Sequence, residues 1–100
     1  MRVIAKRTLR QFWEHHPRGK GAKAALQAWY AQTADADWAR PTDVKREFGN
    51  ASILKAGRVV FNIAGNRYRL VVRINYPYRV VYVRFIGTHA EYDQIGAETI

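Results

Sequence analysis

The chain has 100 residues, 17 of them Lys or Arg against eight Asp or Glu, giving a formal net charge of +9 and a pI near 10.4. That length is one domain over residues 1–100, and at 48% hydrophobic it is too apolar to be a disordered tail. The absence of cysteine removes disulfides, zinc ribbons and thiol nucleophiles, and no apolar run approaches the ~18 residues of a membrane helix. The expectation is a cytoplasmic protein, not bound to membranes, whose basic surface meets a polyanion.

The first half has helical spacing. After Val3-Ile4, Thr8 is placed to cap a helix, with Gln11 completing a capping box. Leu9, Phe12, Trp13 and His16 then form one stripe at i, i+3, i+4 and i+7. Pro17 and Arg18-Gly19-Lys20-Gly21 break it. A second helix is expected over about 22–33, with Ala22, Ala25, Leu26, Trp29 and Tyr30 on one face. Residues 34–41 are a connector. Thr42 is the expected cap of a short third helix through Phe48, closed by Gly49-Asn50, and 52–55 is a candidate edge strand.

The second half alternates. Val59 to Ile63 is β-branched and aromatic-rich, and Gly65-Asn66 suits a tight II′ turn. From Arg67 to Tyr76, Tyr68, Leu70, Val72, Ile74 and Tyr76 share one face, with Arg67, Arg69, Val71, Arg73 and Asn75 on the other. Pro77-Tyr78 is a turn, Arg79 to Ile86 a further strand, and Thr88 to Tyr92 a cap entering a final helical turn. The architecture expected is α+β: an N-terminal helical hairpin packed on one face of a small antiparallel sheet.

Register follows from the turns. A two-residue loop at Pro77-Tyr78 sets Ile74 against Val81, Val72 against Val83 and Leu70 against Phe85. On the other face it pairs Arg73 with Tyr82, Val71 with Arg84 and Arg69 with Ile86. The Gly65-Asn66 turn sets Ile63 against Tyr68 and Asn62 against Arg69. The outer face thus gathers Asn62, Arg69, Arg73, Tyr82 and Arg84. Guanidinium groups crowded without a carboxylate are relieved by a phosphate; the plainer alternative is a solvated strand face.

His89 and Tyr92 follow the strand that carries Arg84, where both can project over the same basic patch. His15 and His16 point about 100° apart on a helix, wrong for chelation, and no other spacing resembles a metal-ligand set. No phosphate loop, serine elbow or paired-carboxylate motif is present, so neither metal nor cofactor is expected. The tryptophans are expected in packing. Lys6, Arg7, Arg10, Arg18, Lys20 and Lys23 are a solvated helix face, or at most contacts to ribosomal RNA.

Two stretches, Val60 to Val71 with its Phe61-Asn62-Ile63, Gly65-Asn66 and Tyr68-Arg69-Leu70, and Tyr82 to Asp93 with Arg84, Thr88-His89 and Glu91-Tyr92-Asp93, resemble the HigB toxin family of bacterial type II toxin–antitoxin systems. The likeness covers roughly residues 40–93. It implies a RelE-like fold and cleavage of mRNA, typically on the translating ribosome. It also implies a HigA-like helix-turn-helix antitoxin that blocks the toxin and alone contacts operator DNA. Arg69, Arg84, His89 and Tyr92 match the family's motifs, so a catalytic role is carried over to them. Arg73, Arg67, Tyr82 and Asn62 are the expected RNA-binding residues. In such a reaction His89 serves as base or acid, the arginines clamp the phosphate, and Tyr92 positions the nucleotide or donates a proton. The rival class is a non-catalytic RNA- or ribosome-binding module, which needs the arginines but not His89.

Overall fold

The computed structural model describes all 100 residues. The chain runs β1 (Arg2–Ile4), α1 (Lys6–His15), a 3₁₀ turn (Gly19–Ala22), α2 (Lys23–Asp35), α3 (Pro41–Glu47), β2 (Ser52–Ile53), β3 (Arg58–Ile63), β4 (Tyr68–Asn75), β5 (Val80–Thr88) and α4 (His89–Tyr92). The class is α+β. The sheet is five-stranded in the order β1-β5-β4-β3-β2, and it is mixed rather than antiparallel, because β1 pairs parallel with β5. Val3-Ile4 is therefore a strand: three residues are too few to show a period, and their partner lies some 78 residues away.

Two expected caps move. Ala5, in extended conformation, precedes α1, which places Thr8 inside the first turn. Arg40 rather than Thr42 precedes α3. Pro41 takes the first helical position, and Asp43 Oδ2 accepts the N–H groups of Ala39 and Arg40 at 2.9 and 3.2 Å. Proline needs no N–H partner there, and the aspartate satisfies the two donors that precede it.

The helices cover one face of the sheet. Leu9 and Phe12 of α1 and Leu26 and Trp29 of α2 join Val59, Phe61, Leu70, Val72 and Ile74 in one buried cluster. Trp29 meets Phe61 edge-on at 5.4 Å, and Trp38 is buried beside Phe48 and Phe61. No helix is long and apolar enough to cross a membrane.

The β3–β4 register is as expected, with Ile63 opposite Tyr68 and Asn62 opposite Arg69. The β4–β5 register holds from Asn75 to Val72, where Arg73 meets Tyr82 and Val72 meets Val83. A bulge then intervenes. Val71 opposes Phe85, Leu70 opposes Ile86 and Arg69 opposes Gly87, so the expected pairs Val71–Arg84, Leu70–Phe85 and Arg69–Ile86 are corrected by one residue. Arg84 is the extra residue, exposed and without a partner across the ladder. The slip carries Phe85 onto the outer face, Ile86 onto the packed face, and Gly87 opposite Arg69.

Candidate active site

Where β3 turns into β4 and β5 runs into α4, a cleft of about 540 Å³ opens against the connector between α1 and α2. Among its lining residues are Arg18 and Lys20 from the connector, Arg67 from the β3–β4 turn and His89 from the start of α4; none is Asp or Glu. Segments some 50 and 70 residues apart in sequence thus bring three cations and an imidazole to one concavity. Cations gathered without a counter-charge favour an anionic occupant.

Local chemistry explains why these parts meet. The Tyr68 ring is buried under the helices, and its hydroxyl donates to the Arg18 carbonyl at 2.5 Å, fixing the connector to β4. The Arg67 guanidinium lies over that ring, 5.4 Å from its centroid. It can settle there because position 21 is glycine: a Cβ on Gly21 would stand 2.8 Å from both Arg67 Nη2 and Tyr68 Oη. The backbone N–H of His89 donates to the Arg67 carbonyl at 3.2 Å, so the two residues are positioned together.

The start of α4 is held twice. Thr88 Oγ1 accepts from Glu91 N–H at 3.2 Å, and Glu91 Oε1 accepts from Thr88 N–H at 2.8 Å, so the expected cap at Thr88 is a full capping box. Glu91 Oε2 also lies 2.9 Å from His16 Nε2, while His16 Nδ1 accepts the N–H of Arg18 at 3.0 Å. The bond from His16, followed by that from the Thr88 N–H, holds the Glu91 carboxyl below its ordinary range. His16 therefore ties α1, the connector and α4 together, a role its place in a helical stripe does not reveal. His89 Nδ1 lies 3.1 Å from Asp93 Oδ2.

The other candidate residues lie elsewhere. Asn62, Arg69, Arg73 and Tyr82 share the outer face of the sheet with the bulged Arg84, and none lines the cleft. Arg69 comes nearest: its Nη1 donates to the carbonyls of Asn66 and Tyr68, each at 3.2 Å, at the turn that borders the cleft. Arg73 and Arg84 are exposed, and Tyr92 is half-buried outside the cleft. Near the far end of the sheet, Arg58 Nε and Nη2 donate to the Ile100 carbonyl at 3.1 and 2.7 Å, so the chain after α4 returns along the sheet to the start of β3. Arg18 and Lys20 are the cleft residues that sequence spacing assigned to a solvated face. Their signal was the Gly-interrupted Arg18-Gly19-Lys20-Gly21 run, which lets a basic connector lie flat against the turn.

Residues 22–95 match the model of the HigB toxin family, the RelE-like toxic component of a toxin–antitoxin system. The chain belongs to that family. As its toxic component, this toxin has an antitoxin for a partner. It is 26% identical over 97 residues to the mRNA interferase HigB of Escherichia coli O6:H1 strain CFT073, covering 95% of this toxin and 91% of that protein. It is 28% identical over 95 residues to the mRNA interferase toxin HigB of Escherichia coli K12, covering 93% and 88%. The mRNA interferase HigB of Shigella flexneri is similar to the same extent.

Proposed function

We propose that this toxin is an endoribonuclease that cleaves mRNA at the His89 cleft. The observation that carries the reading is the meeting of His89 with Arg18, Lys20 and Arg67 in a concavity free of carboxylates. Membership of a toxin family and likeness to proteins named mRNA interferases support it.

RNA brings its own nucleophile, the 2′-hydroxyl beside the scissile phosphate. His89 Nε2 takes the proton of that hydroxyl as the 2′-oxygen bonds to phosphorus. Arg67 and Arg18 receive the charge that builds on the non-bridging oxygens, a task suited to donors fixed in advance. The bond from phosphorus to the 5′-oxygen breaks, and the departing oxygen takes a proton from the Lys20 ammonium, which regains one from water. The products are a 2′,3′-cyclic phosphate and a 5′-hydroxyl.

The outer face has a different part in this reading. Arg73, Arg84 and Tyr82, with Arg69 at the border, form a track for the RNA backbone leading to the cleft, and Asn62 extends it. Tyr92, on the last turn of α4, is placed to meet a nucleotide flanking the cut. The same basic face suits RNA on the translating ribosome, in the cytoplasm. The antitoxin is HigA-like and carries the helix-turn-helix that reaches operator DNA, and the fold is RelE-like.

The test uses purified toxin and a short RNA. Cleavage to a 2′,3′-cyclic phosphate end, abolished by a single 2′-deoxy sugar at the cut and by His89→Ala, is the expected result. Retained cleavage of the 2′-deoxy substrate would exclude this chemistry. Binding of RNA without cleavage would leave the non-catalytic module.

A further inference from the structure

His89 faces the cleft with only one of its two ring nitrogens occupied. Nδ1 lies 3.1 Å from Asp93 Oδ2, one helical turn on; Nε2 has no partner in the protein. The charged residues that line the cleft with His89 from other elements are all cations: Arg18 and Lys20 from the connector, and Arg67 from the β3–β4 turn. Arg and Lys are donors only, so none of them can accept a hydrogen from Nε2. The one charged acceptor the ring meets is Asp93, on the Nδ1 side. Asp93 is not among the cleft residues and meets the cleft only through His89.

We infer that Asp93 is a positioning residue that holds His89 as the Nδ1–H tautomer, with the lone pair of Nε2 turned to the 2′-hydroxyl. The inference rests on the nuclease reading above and refines it. An imidazole free in water favours the proton on Nε2, which would leave a donor pointing at cations and no base for the reaction. The tautomer of a histidine is set by the hydrogen bond its other nitrogen makes, and a carboxylate behind the ring sets it the productive way while fixing the ring's rotation. The side chains of His89 and Asp93 are 51% and 55% exposed, so their bond is modest in the free protein and strengthens once RNA covers the cleft and displaces water.

The deciding experiment combines ring ¹⁵N spectra of the histidine-labelled full chain with cleavage kinetics. For neutral His89 in the wild type, the expected spectrum is a protonated Nδ1 and an unprotonated Nε2. Asp93→Ala is expected to move the proton to Nε2 and to lower kcat about 10-fold with KM little changed. Asp93→Asn, whose side-chain oxygen still accepts from Nδ1–H, is expected to keep more of the rate. Melting curves on both variants separate this from loss of fold. A wild-type ring already protonated on Nε2 overturns the inference, as does an Asp93→Ala variant that cleaves at the wild-type rate; in either case a cleaving wild type leaves the nuclease reading standing. A folded wild type that cleaves no RNA removes that reading and the inference with it.

Discussion

His16 Nε2 and Glu91 Oε2 stand 2.9 Å apart and join the end of α1 to the start of α4 across most of the chain. Because His16 Nδ1 accepts the N–H of Arg18, the ring's proton sits on Nε2 and points to the carboxylate. The bond lowers the folded-state pKa of Glu91, so its stabilisation is present above the ordinary glutamate value and is lost as pH falls through the lower folded value. Melting temperature measured against pH should therefore drop on acidification below the usual carboxylate range, and Glu91→Gln should flatten that drop. Parallel curves for the two proteins would show that the bond contributes nothing to folding.

Gly21→Ala tests the seat of the Arg67 guanidinium. The new methyl would meet Arg67 Nη2 and Tyr68 Oη, each at 2.8 Å. Arg67 is the far end of a flexible side chain and swings away, whereas Tyr68 is buried and bonded to the connector. Cleavage should fall about 10-fold or more through misplacement of the phosphate clamp, with a loss of about 1 kcal/mol in urea unfolding. Unchanged kinetics would mean that Arg67 acts from another position.

The bulge makes a prediction of its own. A Cβ on Gly87 would fall 2.5 Å from Phe85 Cζ and 2.9 Å from its Cε2, because the slip puts both residues on the outer face. Gly87→Ala should cost about 1–3 kcal/mol. Adding Phe85→Leu should recover part of that, which thermal melts of the single and double variants would show. A Gly87→Ala protein as stable as the wild type would contradict this packing.

Cleft and outer face should separate in kinetics. Arg67→Ala is expected to reduce kcat by about 10²-fold, the scale of removing one donor from a charge-stabilising site. Arg84→Ala should weaken RNA binding instead, and lower the slope of log affinity against log salt by about 1. A larger kcat loss from Arg84 than from Arg67 would move the chemistry onto the sheet face.

Much of this was legible where the interactions are local. The Gly65-Asn66 turn fixed the β3–β4 register, since a tight turn dictates which residues face each other. The cap at Thr88 is a local signal, and Thr88 caps the final helical turn as expected, with Glu91 completing a box that was not read from the sequence. The alternation from Tyr68 to Ile74 marked the packed face because one side of that strand is buried in the core. What escaped depends on distant parts of the chain. The bulge at Arg84 leaves no mark in an alternating strand, yet it shifts every pair beyond it. The parallel pairing of Val3 with Val81 is set by the whole sheet. The seating of Arg18 and Lys20 beside Arg67 and His89 required knowing that the connector folds back onto Tyr68. His89 was singled out from its motif; the cations that line the cleft with it come from the connector and the turn.

The most direct measurement is induced expression of the wild-type chain and its His89→Ala variant in a bacterium, with mapping of mRNA 5′ ends. Growth arrest with new 5′-hydroxyl ends inside coding regions, both lost in the variant at equal protein level, is the expected result. Arrest that persists in His89→Ala, or that comes without new ends, would contradict a nuclease built around this cleft.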